Sequence, residues 1–380
     1  MNTSLEVEYW VIDDDGELVS PGPLLDVSEQ IDPEFVEPML ELKTTPCSSL
    51  TELREEFLDL VGEVVSAAHD HDKRLVPLAT PLYASPADVP YRDKRGTELQ
   101  RQIVGPTFDD ARVCAGTHIH FEQSNVVDQL NTLTALDPAF ALVASSSHYR
   151  GEPILECARS HLYRRSCYSA CPEQGQLWPY VDSVAEWERR LEDAYDCFRE
   201  RALERGVDPA EFDDEFDPYD AVWTPVRLRQ AMPTVEWRSP DAALPSHVLQ
   251  LAATVRSTVM RADANGTVVG DATGGAIGSD TERIAGSAPS RRPLESAAED
   301  PVFLPAFDTV EEITTAAITD GCSDGRVRSY LRGLGFEPSA YDPLTNRLPD
   351  SRLTKREAKE YRLEAASWLE ADVSQRRLRA

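Results

Sequence analysis

Charged side chains at every second position of strand-like segments constrain this chain more than any other feature. Residues 5–12, LEVEYWVI, are rich in β-branched and aromatic side chains and predict a first strand. Alternation along a strand places Glu6 and Glu8 on one face and Val7 on the other. Two like charges side by side cost free energy unless a cation or water compensates them. The pair therefore reads as a cation site or as a solvated strand face. Glu41 poses the same choice. It lies inside Met39-Leu40-Glu41-Leu42-Lys43, where a buried carboxylate needs a partner, be it a metal ion or an arginine. His118 and His120 alternate after Ala115-Gly116. His-x-His is a metal pattern, yet neutral core histidines share it. A zinc site would need further nitrogen or sulfur ligands, and no cysteine stands at a suitable spacing. Thr234, Glu236 and Arg238 share one face of a predicted strand, and Trp223-Thr224-Pro225-Val226-Arg227 precedes it. Glutamate beside arginine is a structural ion pair or part of a metal–nucleotide site, because carboxylates hold Mg²⁺ and arginines clamp phosphates.

Together these segments bring four carboxylates, two histidines and two arginines onto predicted strands. Such a pattern suits a sheet whose concave face holds several divalent ions and a triphosphate. A G-x-x-x-x-G-K-[ST] loop does not occur, so phosphates would be held by metals and arginines.

Further strands are predicted at Phe35–Thr44, Arg74–Ala79, Val113–Glu122 and Ala231–Arg238, with Glu17-Leu18-Val19 returning as a hairpin arm. Helical spacing predicts helices from Ser49, where Glu52 completes a capping box, and over Val126–Leu136, Pro138–Ser146, Ser183–Arg205 and Ser246–Arg261. Glu186 is placed to complete a second capping box with Ser183. Asn265–Arg292 reads as a long loop, followed by helices at Thr309–Asp320, Gly325–Leu334 and Thr354–Glu370. Strands interrupted by helices, with hairpin signals, predict an α+β fold with a C-terminal helical layer. The expected organisation is a catalytic domain over residues 1–262, and a loop and helical region over 263–380 packed on it.

Composition narrows the partners. The formal charge is −29 over 380 residues, which disfavours nucleic acid and anionic membrane surfaces. No apolar run approaches the roughly 20 residues of a membrane span. Of 38 basic residues only five are lysine. An acidic, lysine-poor chain is expected in a halophilic setting, where dense carboxylates keep a protein hydrated. No basic and apolar leader opens the chain, and the seven cysteines are scattered without a Cys-x-x-Cys pair. Both features predict a cytoplasmic protein with reduced thiols. A homo-oligomer is left open.

The motifs resemble those of the glutamate–cysteine ligase family, in its bacterial and archaeal carboxylate–amine ligase branch. Its first strand, Gly-x-Glu-x-Glu, is matched by Ser4-Leu5-Glu6-Val7-Glu8. Its Cys-Gly-x-His-x-His appears as Cys114-Ala115-Gly116-Thr117-His118-Ile119-His120, with one residue inserted. Ala141-Leu142-Val143-Ala144-Ser145-Ser146 and Gly151 follow in order, as do Trp223–Arg227, Thr234–Arg238 and Asp241. The resemblance covers about residues 5–260. It implies a glutamine-synthetase-like curved antiparallel sheet forming an active-site funnel, with helices outside. It also implies use of ATP and Mg²⁺ (or Mn²⁺) to convert the γ-carboxylate of glutamate to an acyl phosphate, which cysteine attacks. Carried over, Glu6, Glu8, Glu41, His118 and Glu236 would be metal ligands. Arg227 and Arg238 would be catalytic and bind the nucleotide phosphates with Thr234, while Arg159 and His120 would meet substrate. Ser4 departs from the family's glycine, Ser146-Ser147-His148-Tyr149 from its Ser-Pro-Phe-Trp, and a following Thr-Gly is missing. These departures fall mostly at substrate contacts, so they put the identities of the amine and acid in question. A ligase with other substrates, a catalytically inactive regulatory homologue and a zinc hydrolase using both histidines are the competing readings.

Overall fold

The computed structural model describes residues 1–270 and 300–377. Its centre is a seven-stranded antiparallel sheet built from β1 (Thr3–Asp13), β2 (Ile31–Pro33), β3 (Met39–Lys43), β4 (Lys73–Val76), β5 (Thr117–Glu122), β8 (Val226–Arg229) and β9 (Thr234–Trp237), in the order β2-β3-β1-β5-β9-β8, with β4 also on β1. Two small sheets complete the strands: the hairpin β6 (His148–Tyr149) with β7 (Glu152–Pro153), and the parallel pair β10 (Thr267–Gly270) with β11 (Val302–Pro305). β1 is long enough to pair β3 through Glu6–Trp10, β5 through Thr3–Val7 and β4 through Trp10–Asp13.

Register sorts the side chains. Glu6 stands opposite His118 and Lys43, Glu8 opposite Glu41, and Glu236 opposite both His120 and Arg227. Directly opposed residues share a face, so the charged set gathers on one side of the sheet. Leu5, Val7, Tyr9, Leu40, Leu42, Ile119, Phe121, Val235 and Trp237 take the other side and are fully buried. Burying each such side chain contributes roughly 1.5–3 kcal/mol. Helices Leu50–Asp70, Val126–Leu136 and Pro245–Asn265 contact the strands, and Lys355–Arg377 packs on β4. Val327, Leu331, Leu369 and Val373 belong to the same buried cluster as Leu5 and Trp10. The fold is α+β, as strands interrupted by helices with hairpin signals predict.

Several elements differ in extent from their sequence expectations. Ser49 caps the first long helix with the full Glu52 capping box. Ser183 caps the helix Val184–Glu204, but Glu186 reaches back to the Asp182 N–H instead of the Ser183 N–H. The strand expected from Phe35 begins at Met39, and the one expected from Val113 begins at Thr117, because Pro106–Val113 winds as 3-10 helix. Pro138–Ser146 is a short 3-10 turn over Asp137–Val143, with its proline at the start. The Glu17-Leu18-Val19 arm reduces to one bridge between Ile12 and Leu18. Most of the expected Asn265–Arg292 loop lies outside the described residues. Its start forms β10, and helix Pro245–Asn265 runs past Arg261.

Candidate active site

β1 contributes Glu6 and Glu8, β3 Glu41, β5 His118 and His120, β8 Arg227, and β9 Thr234 and Glu236, with Arg238 just beyond. Glu6 Oε2 lies 3.1 Å from His118 Nδ1 and 3.4 Å from His120 Nε2. His118 also faces Glu236 at 3.5 Å, and Glu8 and Glu41 at 3.9 Å each. Three groups of ligand atoms therefore lie within 4.8 Å of one another: Glu6/His120/Glu236, Glu6/Glu41/His118 and Glu8/Glu34/Glu41. Opposite ligands of an octahedral Mg²⁺ stand about 4.2 Å apart, so a small closing of these groups would satisfy a hard cation.

Electrostatics point the same way. Burial pushes Glu8 up to about 7, Glu34 to about 7 and Glu41 to about 8, and their mutual repulsion adds to it. These carboxylates ionise with difficulty unless a cation joins them. Burial and the nearby Arg238 guanidinium push His118 down to about 3, so its ring is neutral at pH 7 and free to ligate. Burial would raise Glu6 and Glu236 too. The hydrogen bond with His118 and the adjacent His120 ring outweigh it at Glu6, and Arg227 and Arg238 outweigh it at Glu236; both stay ionised. The residues present thus fit divalent ions.

Both oxygens of Glu236 are engaged. Arg227 Nε donates to Oε2 at 2.6 Å and an Arg238 Nη1–H to Oε1 at 2.8 Å. Arg238 keeps a buried Nε without a hydrogen-bond partner, and so do Arg159 at Nε and His120 at Nε2. An unsatisfied buried polar atom costs about 1–3 kcal/mol, a cost that a ligand bound at these three atoms would relieve. Arg159 is fixed by its bonds to the main-chain oxygens of Arg238 and Ser239, and its charge favours the ionised form of the neighbouring Glu8. A Cβ at residue 116 would overlap the Arg159 guanidinium, so a larger residue there would displace that side chain, and the Gly116 N–H donates to Glu8 at 2.5 Å. Thr234 Oγ1 lies 3.1 Å from His120 Nδ1, which orients that ring. All the residues expected from sequence converge here, though His120 groups with the carboxylates.

Sequence reasoning missed Glu34. It lies one residue beyond β2, in no alternating run, and nothing local marks it. It also missed Asp137, which accepts from Arg164, Trp237 Nε1 and Ser239 behind the site; these partners meet only through tertiary packing. Beside Arg227 and Arg238 opens a cleft of about 260 Å³, lined by Phe35, Tyr163, Tyr168 and Trp223 among others, with Trp223 stacked 4.8 Å from Tyr163.

The sequence pattern of glutamate-cysteine ligase family 2 matches residues 12–271. The chain belongs to glutamate-cysteine ligase family 2. The match covers most of the chain but starts after Glu6 and Glu8, which are placed in the site by register alone. Among curated family 2 relatives, a Chloroflexus aggregans protein provisionally named glutamate–cysteine ligase 2 is 24% identical over 272 residues, 68% of this chain and 63% of its own length. One from Ruegeria pomeroyi, under the same provisional name, is 25% identical over 261 residues, 66% of this chain and 62% of its own. The chain thus spans under two thirds of these relatives. Two solved structures share the fold. A bifunctional glutathione synthetase from Pasteurella multocida has a TM-score of 0.53 at 17% identity, over 98% of this chain and 50% of that one. A glutamate–cysteine ligase from Francisella tularensis, in complex with AMP, has a TM-score of 0.52 at 14% identity, over 98% and 81%. Among the described residues no helix is long and apolar enough to cross a membrane.

Proposed function

We propose that this family 2 chain is an ATP-dependent ligase that joins glutamate to cysteine through an acyl phosphate, giving a γ-glutamyl amide, ADP and phosphate. One observation carries the reading: five carboxylates, two histidines and two arginines meet on one sheet face, with unsatisfied buried donors among them. AMP in the related Francisella tularensis ligase supports nucleotide use here.

In this reading Glu6, Glu8, Glu34, Glu41, His118, His120 and Glu236 would hold Mg²⁺ or Mn²⁺, which would supply the charge that neutralises a triphosphate. Arg227 and Arg238 stand beside that position and share Glu236. Both would donate to the γ-phosphoryl group, where fixed donors stabilise charge as it redistributes. A substrate carboxylate oxygen attacks the γ-phosphorus and ADP leaves. The amine then attacks the acyl carbon, phosphate leaves and the amide forms. Arg159 positions the main chain at Arg238 and Ser239, and its free Nε faces substrate. Residues 1–262 would carry this chemistry, with 263–380 bracing the sheet. The acidic surface would suit a saline cytoplasm.

A second reading keeps the mechanism and changes the amine. The aromatic cleft beside Arg227 and Arg238 favours it, since flat rings offer a larger, planar acceptor more contact than a cysteine side chain. Both readings are tested by ADP release with glutamate fixed and amines varied, in high potassium chloride with Mg²⁺. Turnover with cysteine above all others supports the first. Turnover with planar amines instead supports the second, and no amine-dependent ADP release under any condition overturns both.

A further inference from the structure

Lys43 is the fourth cationic side chain at the site, and the chemistry just proposed makes no use of it. It stands directly across β1–β3 from Glu6, and its Nζ lies 2.9 Å from Glu41 Oε2 and 2.9 Å from Asp32 Oδ2. Asp32 is in turn the β2 residue opposite Glu41. The ammonium is therefore clamped between two carboxylates at the edge of the ligand set. Glu41 belongs to two of the three ligand groups, the one with Glu6 and His118 and the one with Glu8 and Glu34. To bridge ions in both, it must give one oxygen to each. Oε1 faces His118 at 3.9 Å, while Oε2 is taken by Lys43. A lysine ammonium is a compact point charge with three donors, closer to a metal ion than a planar guanidinium is. The choice stands out where 33 of 38 basic residues are arginine.

We propose that the Lys43 ammonium takes the place of a third divalent ion at Glu41 Oε2, so that the centre holds two ions. A dication beside Glu41 Oε2 would meet a fixed positive charge within a few ångströms, and that repulsion persists in a partly buried site. The inference rests on the ligase reading only in its use of divalent ions.

The test counts ions and needs no turnover. The full chain, stripped with EDTA, is dialysed against Mn²⁺ and its bound metal is measured by elemental analysis, with thermal melts to verify folding. Wild type should hold two Mn²⁺ tightly. Lys43→Met should hold three, and Lys43→Arg, which keeps the charge, should stay at two. Lys43→Gln serves if the methionine variant does not fold. Three ions in wild type, or two in both neutral variants, overturns the role of Lys43 and leaves the ligase reading standing. No bound Mn²⁺ in wild type overturns the metal-dependent reading itself.

Discussion

Glu236 is fully buried between two arginines, and its environment decides what those arginines can do. Arg238 gives one nitrogen to Glu236 and keeps Nε unsatisfied. Arg238→Lys keeps the charge but loses the fork. It should lower kcat by about 10²-fold or more, with a much smaller change in KM for ATP, because the missing contact is made mainly in the transition state. Steady-state kinetics with a thermal melt decide it: near-normal kcat with lowered stability would make Arg238 a structural partner. Glu8 allows a complementary experiment. Burial raises its carboxyl to about 7, so Glu8→Gln relieves repulsion in the metal-free chain. Its melting temperature in EDTA should equal or exceed that of wild type, while turnover falls by orders of magnitude. A variant that turns over ATP normally would put Glu8 outside the machinery.

At the scale of elements, β1, β3 and β5 force like charges together, and pH reads the cost. Glu8, Glu34 and Glu41 have folded-state values of about 7, 7 and 8, above their ordinary 4.5, with burial the main cause. Raised carboxyls favour the folded state while protonated, so their stabilisation is present below 4.5 and is lost as pH rises through 7–8. His118, pushed down to about 3 from 6.5 by burial, acts oppositely: its cost appears only as pH falls below 6.5. Glu6 and Glu236, held low by their partners, also act in acid. Between pH 6.5 and 8 the raised carboxyls dominate. The metal-free melting temperature should fall across that window, less so in Glu41→Gln, and Mn²⁺ should raise it most at pH 8. A flat metal-free profile would contradict the clustering. The same elements show what a sequence can reveal. Period-two alternation exposed Glu6, Glu8, His118, His120 and Glu236, because a strand fixes which side chains share a face. Glu34 escaped because it follows β2 in irregular chain, and Asp137 with Arg164 because 27 residues separate them. Helix Arg95–Val104 escaped because Lys94 provides no side-chain cap and Gly96 sits in its first turn. Lys43 was visible, but only register could place it across from Glu6.

For the whole molecule, net charge and mechanism make separate claims. With −29 formal charge, surface carboxylates repel one another, and screening shortens from about 10 Å at 0.1 M salt to about 3 Å at 1 M. The melting temperature should therefore rise from dilute buffer to molar potassium chloride; an unchanged value would contradict the halophilic reading. The central claim is that the charged sheet face activates a carboxylate by phosphorylating it. Glutamate labelled with oxygen-18 in its γ-carboxylate, incubated with ATP, Mg²⁺ and the accepted amine in high salt, tests this directly through the mass of the released phosphate. One oxygen-18 atom per phosphate, appearing in step with ADP and amide, is the predicted result. Amide formed with unlabelled phosphate would contradict an acyl phosphate, and with it the account of this site.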